Sequence, residues 1–298
     1  MRRLVVNADD LGLTRGVNDG IFDAHHHGIL TSASLFANAP ATLDAVARAR
    51  SVSLGVGVHL TLVDGAPVLP PASIPTLIEG DGRFRRSWKP FIVACLTGRV
   101  SLVEVERELI AQVERLLAAG IRPTHVDTHK HVHMYPPVFA TVATVAARYG
   151  ISVVRVAYEP DWATEFRRAR GLSGGTVRRQ ALLTAATGLW ARHNRRVARS
   201  LGLVTPRFIG RIQTGVLDRS MLQALLRGIG DGVTELMVHP GYANAALAAT
   251  GTRLLASRER ELELLCDLAT RAVVDTENII LTRHDLKPVD RRSLRHVS

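Results

Sequence analysis

Thr124-His125-Val126-Asp127-Thr128-His129-Lys130-His131-Val132-His133 sets an acid or an imidazole at every second position. Period 2 is the side-chain period of a β-strand, so a strand here presents one face of His125, Asp127, His129, His131 and His133. A helix would instead stack His125, His129 and His133 at i, i+4 and i+8. Pro123 just ahead, with β-branched Thr124, Val126 and Thr128, favours the strand. Such a face is costly to bury without partners. Imidazole and carboxylate together are the ligands of zinc and related divalent metals. Neighbours on one strand face stand roughly 6.6 Å apart, so the five cannot all reach one ion. The reading leaves His125 or His129 as the direct ligand, with the others supporting it or touching substrate.

Working outward, short apolar strands alternate with helical stretches. The strands are predicted at Leu4–Ala8, Ala33–Ala37, Leu54–Leu62, Thr124–Thr128, Ser152–Ala157, Phe208–Ile212, Glu235–Val238 and Asn278–Thr282. The clearest helix is Ser101–Ala119. Ser101 and Glu104 form a capping box, and Val105, Leu109, Val113, Leu116 and Leu117 an apolar stripe. Further helices are expected from Pro136 to Gly150 and over Thr252–Val273. Seven or eight β/α units in a chain of this length predict an α/β fold, a distorted (β/α) barrel resembling a TIM barrel. A doubly wound open sheet is the alternative. The whole chain, 1–298, reads as one domain. Two segments interrupt the alternation, at about 67–98 and 160–200. Both exceed an ordinary connection and are expected to be lids or substrate-binding insertions.

Bulk properties narrow the class. The two cysteines, Cys95 and Cys266, are far apart and form no CxxC, which suits a reducing cytoplasm. No apolar run approaches the roughly 18–20 residues of a membrane span. The net charge of +11 comes mostly from arginine and reads as a solvated basic surface or as attraction to an anionic membrane. A nucleic-acid binder would explain the charge, but the chain has no recognisable reading motif and only 5% aromatic residues to stack on bases; no nucleic-acid partner is expected.

Three more strand ends carry chemistry. The first strand closes on Asn7-Ala8-Asp9-Asp10-Leu11-Gly12, where adjacent carboxylates of a regular strand point to opposite sides. One is then free to bind a metal while the other faces substrate or water. Asp10 or Thr14 also suits a helix cap. The third strand, Gly55-Val56-Gly57-Val58-His59-Leu60, ends in one imidazole. Near the C-terminus, Val238-His239-Pro240-Gly241 stops a strand sharply at His239. In a (β/α) barrel such ends converge on one face. A carboxylate and two imidazoles with an open position describe a catalytic metal site, and a spare carboxylate and imidazole supply base and acid. Another metal-dependent hydrolase, such as a phosphoesterase, would use a similar set.

These four motifs, in order and over nearly the whole chain, resemble the YdjC-like (ChbG-type) carbohydrate deacetylases. That family's pattern is NADDxG, GxHL, THxDxHxHxH and HPG, here Asn7–Gly12, Gly57–Leu60, Thr124–His133 and His239–Gly241. The resemblance implies a metal-dependent N-deacetylase acting on an N-acetylated amino sugar, with chito-oligosaccharides as the alternative substrate. It implies one divalent ion, zinc or magnesium, on Asp10, His59 and His129. Asp9 would be the general base and His239 the general acid. His125, Asp127, His131, His133 and Tyr135 would support the site or contact substrate. The Arg-rich middle and Arg207-Phe208-Ile209-Gly210-Arg211 resemble the hopanoid-biosynthesis-associated HpnK branch. That implies an N-acetylglucosaminyl hopanoid substrate; separately, a cytoplasmic enzyme peripheral at an anionic inner membrane face, with a homodimer as a further partner, is expected. His25-His26-His27 is expected on a helix surface, and His284 has no assigned role.

Overall fold

The structure, a computed structural model, describes residues 1–161 and 174–287. Residues 162–173, part of the second insertion, lie outside the described residues, as do 288–298. Among the described residues seven parallel strands are formed: β1 (Arg2–Leu11), β2 (Ser32–Leu35), β3 (Gly55–Leu60), β4 (Val126–Thr128), β5 (Arg207–Ile209), β6 (Gly232–Val238) and β7 (Ile280–Leu281). Their order is β4-β3-β2-β1-β6-β5. β1 pairs with β6 along its length on one side. On the other it pairs with β7 at Arg3 and Leu4, then with β2 from Asn7 onward.

The predicted strand Ser152–Ala157 is reduced to single bridges, Val154 to Val126 and Val153 to Val204. Those bridges carry the curve on from β4 toward the segment entering β5, which distinguishes a distorted barrel from the open doubly wound alternative. β1, β2, β3 and β4 are buried on both faces almost throughout, as expected for parallel strands covered by helices.

The helices that matter for the site are α1 (Arg15–His27), α2 (Thr42–Ala49), α3 (Trp88–Leu96), α4 (Leu102–Ala118), α5 (Pro136–Arg148), α6 (Gly174–Ala186), α7 (Gly188–Ser200), α8 (Arg219–Arg227), α9 (Ala245–Ala249), α10 (Ala256–Cys266) and α11 (Leu268–Thr276). Thr14, rather than Asp10, caps α1 by accepting from Val17 N at 3.2 Å. Ser101 caps α4, but the capping box closes through a third residue. The Glu104 carboxylate accepts from Thr76 N and Thr76 Oγ1, and Thr76 Oγ1 accepts from Ser101 N. This pins the first insertion onto α4. Of the predicted stripe, Val105, Leu109, Val113 and Leu116 are buried and Leu117 faces outward. The helix expected over Thr252–Val273 is two helices, because Asp267 takes an extended conformation and caps α11 by accepting from Ala269 N.

The apolar core lies between the strands and α1, α2, α4 and α5. The barrel interior is polar instead. His284 is buried there and stacks on His125, ring centroids 3.7 Å apart, with Nε2 3.6 Å from Glu235. His25, expected at the surface, is buried and holds Leu30 O through Nδ1 at 2.9 Å, while His26 and His27 are exposed.

Candidate active site

The site begins with a break in β1. Pairing with β2 slips between Ala8 and Leu11, and Asp10 sits at φ 70°. A side chain in this left-handed region is sparsely tolerated, with Asp and Asn among the few that visit it. The bulge removes the opposite facing expected of a regular strand. Both Asp9 and Asp10 turn toward His59.

Asp10 Oδ1, His59 Nε2 and His129 Nδ1 form a triangle with edges of 3.5, 3.4 and 3.2 Å. The three side chains come from the ends of β1, β3 and β4, and their donor atoms lie within reach of one ion. Each imidazole has a carboxylate behind it. Asp127 Oδ1 is 2.6 Å from His59 Nδ1, and Asp64 Oδ2 is 3.9 Å from His129 Nε2. Ligand histidines are commonly oriented in this way. The donor set and its backing therefore fit a divalent ion.

Charge follows from contact. Burial alone would raise the Asp10 carboxyl, but the Arg258 cation and hydrogen bonds from His129 and His59 hold it well below its usual range. Burial likewise opposes ionisation of Asp9 and is outweighed by Arg155, which grips both Asp9 oxygens at 2.7 and 2.8 Å. His59 is pulled the other way. Burial lowers it, yet Asp127, Asp10 and Asp9 lift it to about 10. His239 ends β6 close enough to feel Asp9 and Asp10, but burial dominates and brings it down to about 4. Its backbone N–H donates to Glu261 Oε2 at 2.6 Å, and burial raises the Glu261 carboxyl to about 7. The loop after His239 packs tightly: a Cβ on Gly20 of α1 would meet Gly241 Cα at 2.5 Å.

The His-rich run departs from the predicted face after His129. β4 spans only Val126–Thr128, and residues 129–134 coil as a 3-10 turn with Lys130 and His131 at φ 54° and 53°. His133 consequently turns away from the metal donors, pairing with Thr128 Oγ1 at 2.6 Å and Arg155 O at 2.9 Å. His131 lies edge-on to Phe208, with Nδ1 buried and without a hydrogen-bond partner, and burial with Arg211 holds its ring neutral. Tyr135 precedes α5 and meets Trp190 of α7 at 5.7 Å. His125 sits deeper in the barrel and is absent from the donor triangle. It bonds Ser34 Oγ and Thr124 Oγ1 at 3.0 and 2.9 Å, and its ring lies where a Cβ on residue 57 would be, at 2.4–2.5 Å. That close approach explains Gly57.

Four contributors were not foreseen. Arg155 and Arg258 are fully buried, Glu261 is nearly so, and Asp64 backs His129. A signal for Arg155 existed in one arginine within the apolar run Val153–Ala157. For Arg258 and Glu261 it lay in opposite charges three residues apart on the same side as Leu262 and Leu265. Asp64 carried none.

The YdjC-like protein family matches residues 3–276. The chain belongs to that family. This YdjC-like chain is 34% identical over 284 residues to a protein named carbohydrate deacetylase from Brevibacillus brevis, covering 94% of the chain and 97% of the relative. It is 35% identical over 268 residues to one of the same name from Geobacillus stearothermophilus, covering 89% and 90%. Its fold is similar to a solved structure from Enterococcus faecalis V583, provisionally assigned as a cellobiose-phosphate cleavage protein. The TM-score is 0.77 at 24% identity, over 97% and 99% of the two chains.

Proposed function

We propose that this chain is a metal-dependent carbohydrate N-deacetylase that hydrolyses the acetamide of an N-acetylated amino sugar. The observation that carries the reading is the Asp10–His59–His129 triangle with Asp9 and His239 beside it, in a chain whose relatives are named carbohydrate deacetylases. Asp10, His59 and His129 would hold the ion. Two imidazoles in the donor set favour zinc or another transition metal over magnesium. When bound, the ion would polarise the acetamide carbonyl and make water at its open position more acidic.

The chain's own groups then divide the proton transfers. Asp9, ionised and held by Arg155, takes a proton from the attacking water. His239, which burial keeps neutral in the resting site, would receive the proton that Asp9 draws from the water and deliver it to the sugar nitrogen as the C–N bond breaks, leaving acetate and a free amine. Asp127 orients the His59 imidazole, and Asp64, paired with Lys130, places a negative charge near His129. Release of acetate from N-acetylglucosamine oligomers by the chelated protein, before and after zinc or magnesium add-back, tests the reading. No release from these or from a lipid-linked N-acetylglucosamine, with metal shown to be bound, sinks it.

The finer proposal is an N-acetylglucosaminyl hopanoid, met at an anionic membrane face on the cytoplasmic side. It is supported by α6 and α7, where residues 174–200 hold six arginines and no acid. Leu182 and Leu189 are 62% and 76% exposed there; α7 is amphipathic, and basic amphipathic helices lie at anionic interfaces. α3 adds exposed Val93 and Leu96, whereas Phe91 on the same helix is buried. No helix among the described residues is long and apolar enough to cross a membrane. Equal binding to neutral and anionic vesicles at low salt would count against this substrate.

A further inference from the structure

We propose that Arg155 is a positioning residue that locks the base Asp9 and the ligand-orienting Asp127 into one rigid unit. The proposal rests on the reading of Asp9 as base and His59 as metal ligand given above.

The geometry is specific to a guanidinium. Arg155 Nη1 and Nη2 donate to the two oxygens of Asp9 at 2.8 and 2.7 Å. The same Nη1 lies 2.6 Å from Asp127 Oδ2, and Asp127 Oδ1 lies 2.6 Å from His59 Nδ1. Nε donates to Glu235 Oε1 at 2.8 Å. One planar fork thus spans three carboxylates from β1, β4 and β6, and connects the proton acceptor to the ligand imidazole in two steps. A lysine ammonium carries the charge but is a point donor without the fork.

Arg155 itself cannot drift. Its N–H donates to Val126 O at 3.1 Å, its carbonyl meets His133 Nε2 at 2.9 Å, and Phe208 lies under the guanidinium at 5.4 Å. His133, turned away from the donor triangle, thereby acquires a role: it holds the backbone of the residue that holds the base.

The test compares Arg155→Lys with Glu235→Gln. The second touches the same guanidinium at Nε and Nη2, and its amide keeps an acceptor for both. Zinc affinity is measured by competition with a chromophoric chelator, and turnover by acetate release. Arg155→Lys is expected to lose about 100-fold in kcat, the scale of a misplacement near 1 Å, with KM within about threefold. It is also expected to lose about 10-fold or more in zinc affinity, the scale for groups that orient a ligand. Glu235→Gln, which keeps an acceptor for the guanidinium, is expected to stay below the roughly 10-fold loss of a ligand-orienting group in either quantity. Wild-type kcat and zinc affinity in Arg155→Lys would overturn the proposal. So would equal losses in both variants, which would mark a general loss of structure. If the wild-type protein releases no acetate, the deacetylase reading falls while the zinc comparison still decides this one. Should Arg155→Lys not fold, Asp127→Asn cuts the same link one step later, and unchanged zinc affinity there would refute it.

Discussion

Metal binding should displace one proton from His59, and affinity should therefore climb steeply with pH. The imidazole lies between Asp127, 2.6 Å from Nδ1, and Asp10, 3.5 Å from Nε2, and these acids raise it to about 10. Below that pH a proton occupies Nε2, the nitrogen that the ion needs, and ligand and proton compete. Asp10 is already ionised across this range and adds no proton of its own. Each pH unit is then worth about 1.4 kcal/mol, so zinc affinity should rise about 100-fold between pH 6.5 and 8.5, or about 2.7 kcal/mol. The assay is zinc titration of chelated protein against a competing chelator at each pH. Calorimetry in buffers of differing ionisation enthalpy should count close to one proton released per ion. A raised imidazole also stabilises the metal-free fold while charged. That contribution is full below the unfolded value near 6.5 and is lost as pH rises through about 10, so metal-free stability should fall over the window in which affinity rises. A zinc affinity that changes less than threefold over the two pH units would refute the reasoning, because His59 would then not be the protonated ligand.

Other outcomes follow from single contacts. Asp9→Asn should bind zinc as the wild type does yet lose roughly 10²–10⁴ in turnover; near-normal acetate release would remove Asp9 from the role of base. Gly57→Ala should destabilise by about 1–3 kcal/mol in urea unfolding, because the new methyl falls 2.4–2.5 Å from a His125 ring held by Ser34, Thr124 and His284; an unchanged midpoint would show that the ring can move. Glu108→Ala should cost about 2–4 kcal/mol. It strips the acceptor from Val68 N, Leu69 N and Gln112 Nε2, and early protease cleavage within 67–98 would accompany it.

Sequence patterns revealed the strand-end motifs because each sat where an apolar run stops, a local event. Asp9, His59 and His239 could be placed at barrel mouths on that basis alone. What period 2 could not reveal was where the period ends. Nothing in the residue types of Lys130 and His131 announces two consecutive left-handed conformations, which depend on how β4 meets the turn beneath α7. The bulge at Asp10 escaped for the same reason, being set by the slip of β1 against β2. Arg155 and Arg258 were passed over because arginine is normally read as surface. Only the carboxylates that the fold brings to them, from strands far apart in the chain, make their burial tolerable.

The acid-free hairpin of α6 and α7 stands beside the mouth, with Asn194 bonded to Met134 O and Trp190 against Tyr135. Arg178, Arg179, Arg192, Arg196 and Arg199 all face solvent there. Under the proposed reaction a neutral acetamide enters, and an ammonium and a carboxylate leave. The rim repels the first product and attracts the second. Turnover would then be self-clearing: the aminosugar is driven out by the charge that it has just acquired. Acetate is the product more prone to linger, and added salt should weaken that bias along with the field that creates it.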